Sequence, residues 1–447
     1  MPIPTRLFAA LLLAITPAPA FANSVAHAWG APAPSLPSLR EQAEIRNAIL
    51  TERLDTIVPR LMRERGIDMW VLVAREYLED PVVATMLDAT NFHARRRTIL
   101  VFFDPGNGQP VERLTVSRYG LGGLFAPAWN PEEEPDQWAR LAALVAERNP
   151  RRIALNRSSA TAFGDGMTAS QYAETMAALP PAFQERVVSG EDLSVDWLQE
   201  RLPSEMPHYG AVMRVAHALL AEALSARVIT AGQTTAADVQ WWLRHAVASR
   251  GMAVWFHPSI SIFRHGSEAE LSGDTVIQPG DLIWSDFGIM GLGLATDSQA
   301  LAYVLREGET APPAGLTAGM AGAVAMQDML VATFRTGASG NDMLAAARES
   351  AIAAGLDPSI YSHPIGTHGH GAGPAIGFWD DQSATPRGAG PLRPRTAWSI
   401  ELANRATVTE WGGQRVPFRL EVNGWWDGAA FHWIAGRQER LLVIAPR

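Results

Sequence analysis

The chain has 447 residues and a net charge of -9 at pH 7, and it contains no cysteine and no lysine, so all 37 basic residues are arginines. The missing cysteines exclude thiol nucleophiles, cysteine-based zinc sites and disulfides, and the missing lysines exclude a Schiff base and a P-loop. An acidic chain with scattered arginines is a poor partner for nucleic acid.

The first 22 residues are predicted to be a secretory signal peptide. Arg6 precedes an apolar stretch at residues 7–15, and small residues, Ala20 and Ala22, stand at the expected cleavage position. This stretch is too short to span a bilayer. A linker rich in Ala, Pro and Ser is predicted at residues 23–38. The mature protein is therefore expected to be secreted or periplasmic, without membrane insertion.

Residues 39–203 are predicted to form an α/β domain. A helix rich in Arg and Glu is expected from Leu39 to about Met62, with a kink at Pro59. Apolar runs at residues 68–73, 98–103 and 152–155 predict buried strands, and residues 138–145 predict a helix. The mixture of strands and helices predicts a sheet covered by helices.

Residues 204–447 are predicted to form a second domain of the α+β class. Helices are expected at about residues 212–227, 235–250, 320–334 and 342–354. Thr235 and Asp238 have the spacing of a capping box at the start of the second of these helices. Hairpin-like strands alternate with these helices, which is not typical of a doubly wound sheet.

Two aspartates are predicted to lie side by side at one end of a hairpin. Asp286 lies in the apolar run 282–290, and Asp297 follows a turn signal at Gly291 and Gly293. A lone Asp286 could cap a turn or pair with an arginine. Two adjacent carboxylates, however, repel each other unless a cation lies between them. The pair therefore favours a metal ion.

A glycine-rich segment at residues 363–374 contains His363, His368 and His370. Glycines let the backbone approach a ligand closely, and imidazole is the commonest metal-binding side chain. Glu401 and Glu421 follow, each in a short apolar segment that is typical of a strand. Five of these side chains, in this order, predict two adjacent divalent metal ions: Asp286, Asp297, His370, Glu401 and Glu421.

On these residues the chain resembles the M24 metallopeptidases, the pita-bread group that includes methionine aminopeptidase, proline aminopeptidase, prolidase and the metal-free creatinase. The resemblance covers about residues 205–447, and a weaker one to the creatinase-type N-terminal domain precedes it. It implies a pita-bread catalytic domain after a smaller α/β domain. It also implies that Asp297 and Glu421 bridge two metals, that Asp286 binds one, and that His370 and Glu401 bind the other.

The resemblance implies a chemistry for this set. An oxygen-rich site with one imidazole suits Mn, Co, Zn or Fe, and two such ions activate a shared water and polarise the scissile carbonyl. Glu401 would carry the proton from that water to the leaving amine. His363 is the first choice for a histidine that stabilises the intermediate, and His363, His368 and Arg419 are expected to bind substrate.

The histidine spacing departs from the family pattern, in which one histidine stands about four residues before the metal ligand and another about seven after it. Counted from His370, those positions are Gly366 and Gly377, and Trp379 and Asp380 stand near the usual His-acid pair. His368 therefore stays open as an alternative ligand to His370.

The expected function is an exported dinuclear metallopeptidase that removes the N-terminal residue from Xaa-Pro peptides or dipeptides. The alternative is hydrolysis of a non-peptide C–N or ester bond on the same fold. The expected substrate is a peptide or a small amide. A metal-binding protein without activity is a further alternative, which a positioned proton carrier at Glu401 disfavours. A solute-binding protein is another, and it predicts no bound metal. A homodimer is expected, because the N-terminal domain often mediates dimerisation in the family.

Overall fold

The structure is a computed structural model that describes residues 31–445. The predicted signal peptide and the first residues of the predicted linker lie outside this range. Two sheets organise the described chain: a six-stranded sheet between residues 69 and 189, and a nine-stranded sheet between residues 259 and 444. Helices cover both sheets, and a small three-stranded sheet accompanies the larger one. The α+β class is confirmed.

The N-terminal sheet has the strand order β4-β3-β2-β1-β5-β6 and is mixed, since β1 pairs antiparallel with β2 and parallel with β5. Its strands are β1 (Met69–Arg75), β2 (Arg97–Phe103), β3 (Glu112–Thr115), β4 (Ala126–Pro127), β5 (Ile153–Leu155) and β6 (Val187–Ser189). The helices are α1 (Leu39–Arg65), α2 (Pro81–Thr85), α3 (Gln137–Arg148), α4 (Ala169–Ala178), α5 (Pro181–Gln184) and α6 (Glu191–Gln199).

Helix α1 is the longest helix among the described residues and packs against α6. It begins at a capping box made by Ser38 and Glu41, and it ends at Gly66, which adopts the left-handed conformation that favours glycine. Pro59 lies inside the helix. The helix continues past the predicted end at about Met62 to Arg65, because the glycine rather than the proline stops it.

The C-terminal half, from residue 204 onward, contains α7 (Met206–Ala223), α8 (Ala236–Ala248), α9 (Ala314–Val331) and α10 (Gly340–Ala353). Its first strands are β7 (Ala253–Val254), β8 (Ser259–Phe263), β9 (Leu282–Phe287), β10 (Ile289–Gly291), β11 (Leu294–Ala295) and β12 (Ser298–Val304). The remaining strands are β13 (Pro358–Ile360), β14 (His363–Ile365), β15 (Thr396–Val408), β16 (Gln414–Trp426), β17 (Phe431–Trp433) and β18 (Leu442–Ile444).

The helix bounds differ from the sequence predictions at their starts. Helix α7 begins at Met206, six residues before the predicted 212, because Pro207 provides a favourable first turn. Helix α8 begins at the predicted capping box of Thr235 and Asp238. Helix α9 begins at Ala314, directly after Pro313, rather than near residue 320. Proline is well tolerated at a helix start, and both shifts follow from it.

The large sheet has the central order β13-β15-β16-β12-β9-β8, with β14 also paired to β15. Strands β15 and β16 form a long antiparallel hairpin, and β12 pairs antiparallel with both β16 and β9. Helix α9 packs on β15. This helix is long and apolar enough to cross a membrane by length and composition alone. Its buried residues, among them Leu316, Met320 and Leu330, instead form part of the core.

Buried ion pairs join the two halves of the chain. Glu205, which precedes α7, accepts hydrogen bonds from Arg53 of α1 at 2.8 Å and from Arg201 at 3.0 Å. Glu200 pairs with Arg395, the residue before β15. Glu205, Arg53 and Arg201 are all buried, so the charges neutralise one another out of water. The strand that carries Glu401 is thereby tied to the N-terminal half.

Candidate metal centre

Four polar residues form a row across four neighbouring strands of the large sheet. Glu401 of β15 pairs with Glu421 of β16, Glu421 pairs with Gln299 of β12, and Gln299 pairs with Asp286 of β9. Residues directly opposite each other on neighbouring strands place their side chains on the same face of a sheet. The fold therefore brings together three carboxylates that are up to 135 residues apart in sequence (421 − 286).

Asp297 joins this row from the end of β12. It stands two residues before Gln299, so its side chain points to the same face, and its side chain lies close enough to those of Asp286 and Glu421 to share a metal ion. The ligand atoms of these three residues lie within 4.8 Å of one another. The predicted hairpin is present, with β9 and β12 antiparallel and both aspartates at one end.

His363, on the edge strand β14, faces the same cluster. Its Nε2 lies 3.5 Å from Glu421 Oε1, 3.8 Å from Glu401 Oε2 and 3.9 Å from Asp297 Oδ2. Its Nδ1 lies 3.0 Å from the carbonyl oxygen of Pro364. Because a carbonyl oxygen can only accept, Nδ1 donates the proton there, and Nε2 is directed at the carboxylates as a ligand nitrogen would be.

A second layer of hydrogen bonds fixes the cluster. Ser399 Oγ donates to Glu421 Oε1 at 2.6 Å, and Asn423 Nδ2 donates to that serine oxygen at 2.9 Å. The side-chain oxygen of Asn423, Oδ1, in turn accepts the backbone N–H of Asp297 at 3.0 Å. Ordered outer partners of this kind orient carboxylate ligands and are as much part of a metal site as the ligands themselves.

Gln299 holds one oxygen of Glu401. Its Nε2 donates to Glu401 Oε1 at 2.6 Å, while its Oε1 accepts the indole N–H of Trp284 at 3.2 Å. The indole can only donate, so the amide orientation is fixed and the amino group must face Glu401. This leaves Glu401 Oε2 directed toward His363. Sequence reasoning missed Gln299, although a buried glutamine two residues after Asp297 is a signal for the same face.

The buried carboxyls resist ionisation in the absence of a cation. Burial and repulsion from Glu421 raise the pKa of Asp286 well above the usual range, and burial with repulsion from Glu421, Asp286 and Glu401 raises the pKa of Asp297 in the same way. Burial, with repulsion from Glu421 and Asp286, likewise raises the pKa of Glu401, against the hydrogen bonds from Gln299 and Trp379. Like charges at such distances are stable together only when protons or metal ions neutralise them.

Three buried atoms in the cluster identify what fits there. Asp286 Oδ1, Asp297 Oδ1 and His363 Nε2 are shielded from solvent and have no hydrogen-bond partner among residues 31–445. Unpaired buried polar atoms are costly, and carboxylate oxygens and an imidazole nitrogen are suitable ligands for divalent first-row metals. The donor set therefore fits metal ions. The residues fall into three overlapping groups, Asp286–Asp297–Glu421, His363–Glu401–Glu421 and Asp297–His363–His370.

The other predicted site histidines lie at the edge of the cluster. His370 is exposed, and its ring lies 4.8 Å from that of His363; it comes within ligand distance of Asp297 and His363 together. His368 packs on Phe163 of the N-terminal half at 5.0 Å between ring centroids. It is in none of the ligand-distance groups found among the described residues.

Arg419, predicted to bind substrate, is engaged elsewhere. Its guanidinium donates two hydrogen bonds of 2.9 Å to Glu270, and it lies over the rings of Phe263 and Trp284. Of the two residues near the usual His-acid pair, Trp379 is 39% exposed and near Glu401, and Asp380 is exposed.

The rings of Tyr361, Phe378 and Trp255 form a wall beside the cluster. Sequence reasoning assigned none of the three to the site. The Tyr361 ring lies 5.3 Å from that of His363 and 5.5 Å from the stacked Phe378 ring. Trp255 lies 5.3 Å from His370. Burial, with the negative charge of Glu401, raises the pKa of Tyr361 to about 12, so its hydroxyl stays protonated and can donate a hydrogen bond. Trp425 and Trp426, which follow Glu421 on β16, are buried.

Comparison with known proteins agrees with this geometry. Residues 211–423 match the sequence model of metallopeptidase family M24. No curated protein sequence matches the chain.

Solved structures share the fold across nearly the whole of the described chain. The X-Pro aminopeptidase of Thermotoga maritima MSB8 has a TM-score of 0.62 at 17% identity, covering 86% of this chain and 99% of its own. A dipeptidase, PepE, from Mycobacterium ulcerans has a TM-score of 0.59 at 17% identity, covering 89% and 99%. The Xaa-Pro dipeptidase of Bacillus anthracis has a TM-score of 0.56 at 16% identity, covering 91% and 99%. The region that carries the carboxylate row, residues 211–423, thus matches metallopeptidase family M24, and the chain has the pita-bread fold, as its sequence predicted.

Proposed function

We propose that the protein is a dinuclear metal-dependent peptidase that removes the N-terminal residue from peptides or dipeptides whose second residue is proline. The observation that carries the proposal is the row of Glu401, Glu421 and Asp286 across adjacent strands, completed by Asp297 and facing the unpaired nitrogen of His363. The names of the structural neighbours, an X-Pro aminopeptidase and an Xaa-Pro dipeptidase, support the choice of substrate.

We propose His363, rather than His370, as the imidazole ligand. His363 is buried and takes part in two of the three ligand-distance groups, whereas His370 is exposed and takes part in one. This assignment also restores one of the two family histidine positions, because His370 then stands seven residues after the ligand. Asp286, Asp297 and Glu421 would bind one ion, and His363, Glu401 and Glu421 the other, with Mn, Co, Zn or Fe all compatible with the donors.

Bound metal ions would supply an activated water and polarise the scissile carbonyl. The residues of the chain perform the rest of the reaction. Glu401, with Oε1 held by Gln299, presents Oε2 to accept the proton of the attacking water and return it to the leaving amine. His370, exposed beside His363, is placed to donate a hydrogen bond to the substrate carbonyl. Tyr361, Phe378 and Trp255 provide an apolar wall for a proline ring.

A second candidate is hydrolysis of a non-peptide C–N or ester bond at the same centre. The observation that favours it is Ser359, which stands four residues before His363 where the family pattern has a histidine. That serine is buried on β13, paired with Ala403, and cannot replace an imidazole in contact with substrate.

The test is hydrolysis of a mixed peptide library by the mature protein reconstituted with Mn, Co or Zn, read by mass spectrometry. Cleavage before proline that disappears in Glu401→Gln, while both proteins bind equal amounts of metal, would establish the peptidase. Ser204→Ala, at an exposed serine of the domain junction, serves as a control that should keep full activity. Stoichiometric metal without cleavage of any peptide would refute the proposal and favour the second candidate.

We also propose that the protein is exported and forms a homodimer. Arg6 and the apolar residues that follow it support export. Comparison of the N-terminal residue and the cellular fraction of the expressed protein tests this, since retention of residues 1–22 in the cytoplasm would contradict it. Light scattering of the purified protein tests the dimer.

A further inference from the structure

Trp379 connects the buried carboxylate of Glu401 with the protein surface. Glu401 is 6% exposed, whereas Trp379 is 39% exposed. The indole N–H of Trp379 donates a hydrogen bond to the Glu401 carboxylate. Because an indole N–H can only donate, this contact suits the ionised carboxylate, which can only accept. The ring of the same side chain stays partly open to solvent and to a substrate.

The large sheet brings Trp379 to this place through Tyr361. The backbone N–H of Tyr361 donates to the carbonyl oxygen of Glu401 at 3.2 Å, so the two residues lie side by side. The ring of Trp379 meets the ring of Tyr361 edge to face, with 6.4 Å between the centroids. Tyr361 in turn stacks on Phe378. Trp379 therefore extends the aromatic wall to the carboxylate of Glu401.

Trp379 lies at the tip of a tight turn. Phe378 and Asp381 exchange two backbone hydrogen bonds of 3.0 and 3.2 Å, so Trp379 and the residue after it form the loop of the turn. The chain enters the turn through Gly377 at a φ of +72°, and a Cβ atom there would lie 2.3 Å from the carbonyl oxygen of Ile360. Glycine is therefore required for the turn to lie this close to β13.

Gln382 holds this turn on the edge of the large sheet. Its side-chain amide donates to the carbonyl oxygen of Ile360 at 2.8 Å and accepts the backbone N–H of Ile360 at 2.9 Å, as a neighbouring strand would. Arg348 of α10 donates to the same amide oxygen at 2.8 Å. A donor and a ring on a turn held in this way are in place before a substrate binds.

We propose that Trp379 is a positioning residue for Glu401 and a specificity-determining residue for the substrate. Its indole N–H orients the carboxylate from the surface side, while Gln299 holds the same carboxylate from β12. Its ring covers the residue that leaves, because Glu401 returns the proton to the leaving amine and Trp379 lies beside it. The inference rests on the proposed function, since it assumes that Glu401 is the proton carrier.

Two substitutions separate the donor from the ring. Trp379→Phe keeps an aromatic ring and removes the N–H, so kcat should fall about tenfold, the cost of a hydrogen bond to a charged group, with a smaller change in KM. Trp379→Gln keeps an N–H donor and removes the ring, so KM should rise about fivefold with a smaller change in kcat. Steady-state kinetics on one Xaa-Pro peptide at full metal occupancy measure both. The same changes in kcat and KM for the two variants would overturn the inference.

Trp129→Phe is the matched control. Trp129 is also partly exposed, and its indole N–H also donates a hydrogen bond, to the carbonyl oxygen of Glu134 at 2.7 Å. It packs against the core of the N-terminal sheet and contributes nothing to the carboxylate row. This variant should keep the kcat and KM of wild type. A loss of kcat as large as that of Trp379→Phe would contradict a role specific to Trp379.

Nuclear magnetic resonance tests the contact without turnover. The indole N–H signal of Trp379, in protein with isotopically labelled tryptophan and bound Zn²⁺, is identified by its absence from Trp379→Phe. We expect Glu401→Gln at equal metal occupancy to shift this signal, because the acceptor loses its charge, and to leave the signal of Trp129 in place. An unshifted Trp379 signal would overturn the inference even in an active enzyme. A shifted signal in a protein that cleaves no peptide would support the contact and reject the proposed function alone.

Discussion

Two of the three histidines of the glycine-rich segment, His363 and His370, differ in what their ring nitrogens face. His363 is buried, donates through Nδ1 and directs Nε2 at three carboxylates, whereas His370 is exposed. We predict that His363→Ala lowers metal affinity by more than the roughly 100-fold that loss of an outer partner costs. His370→Ala should retain metal and lose turnover. Metal content after dialysis, with calorimetry, measures both; the reverse pattern would return the ligand to His370.

Gln299 acts on catalysis through Glu401. Gln299→Leu removes the donor to Glu401 Oε1 and frees that carboxylate to rotate, so kcat should fall about tenfold to 100-fold with a smaller change in KM. Ser298→Ala is the control, since Ser298 is the adjacent buried residue and its hydroxyl has no hydrogen-bond partner among the described residues. Steady-state kinetics at full metal occupancy measure the split. A loss confined to KM would contradict a positioning role.

At the scale of elements, the joint between α1 and the start of α7 depends on a buried charge triad. Burial lowers the pKa of Arg53 to about 10, and the neighbouring Arg201 adds to this, while Glu205 opposes both. Burial would raise the pKa of Glu205, but Arg201 and Arg53 together keep it below its usual value. Glu205 is therefore the carboxylate that contacts both buried arginines, and Glu200 adds a weaker attraction on Arg53.

Removing that carboxylate should be strongly destabilising. We predict that Glu205→Gln lowers the free energy of unfolding by about 3 to 5 kcal/mol, because it leaves buried guanidinium groups unpaired. Glu64→Gln is the comparison: Glu64 also pairs with two arginines, Arg60 and Arg393, but it is exposed, so the loss should be below about 1 kcal/mol. Urea unfolding measures both. Similar losses in the two variants would show that the triad adds nothing beyond a surface pair.

For the molecule as a whole, the carboxylate cluster makes stability depend on pH and metal together. Asp286, Asp297 and Glu401 bind protons more tightly in the folded chain than at their ordinary values of 3.8, 3.8 and 4.5. Their contribution to stability is fully present below those ordinary values and is lost as pH rises through the raised folded pKa values. Metal ions replace the protons and remove this loss.

We therefore predict that the metal-free protein becomes less stable as pH rises from about 4 toward 8, and that saturating Mn²⁺ reverses the trend. Urea unfolding with EDTA or with Mn²⁺ across that range measures it. Asp286→Asn should flatten the slope of the metal-free protein, because one of the coupled carboxyls is gone. A metal-free protein that gains stability over the whole range would contradict the cluster as the dominant titrating group.

The sequence by itself predicted the class of fold, the family resemblance and the four carboxylates that the structure brings together. Continuous apolar runs marked the central strands, and the capping box at Thr235 marked the start of α8. The carboxylates were recognisable as charged residues inside apolar segments. These are local signals, and local spacing is sufficient to read them.

Only the tertiary structure decided which side chains face one another. The register of β15, β16, β12 and β9 aligns Glu401 with Glu421, Gln299 and Asp286, and a shift of one residue would turn each of them to the opposite face. The pairing of β14 with β15 directs His363 at the cluster, although the loop sequence favoured His370 as the ligand, with His368 as the alternative. Strand pairing joins residues distant in sequence, so Gln299 as the partner of Glu401 could not be predicted from local pattern.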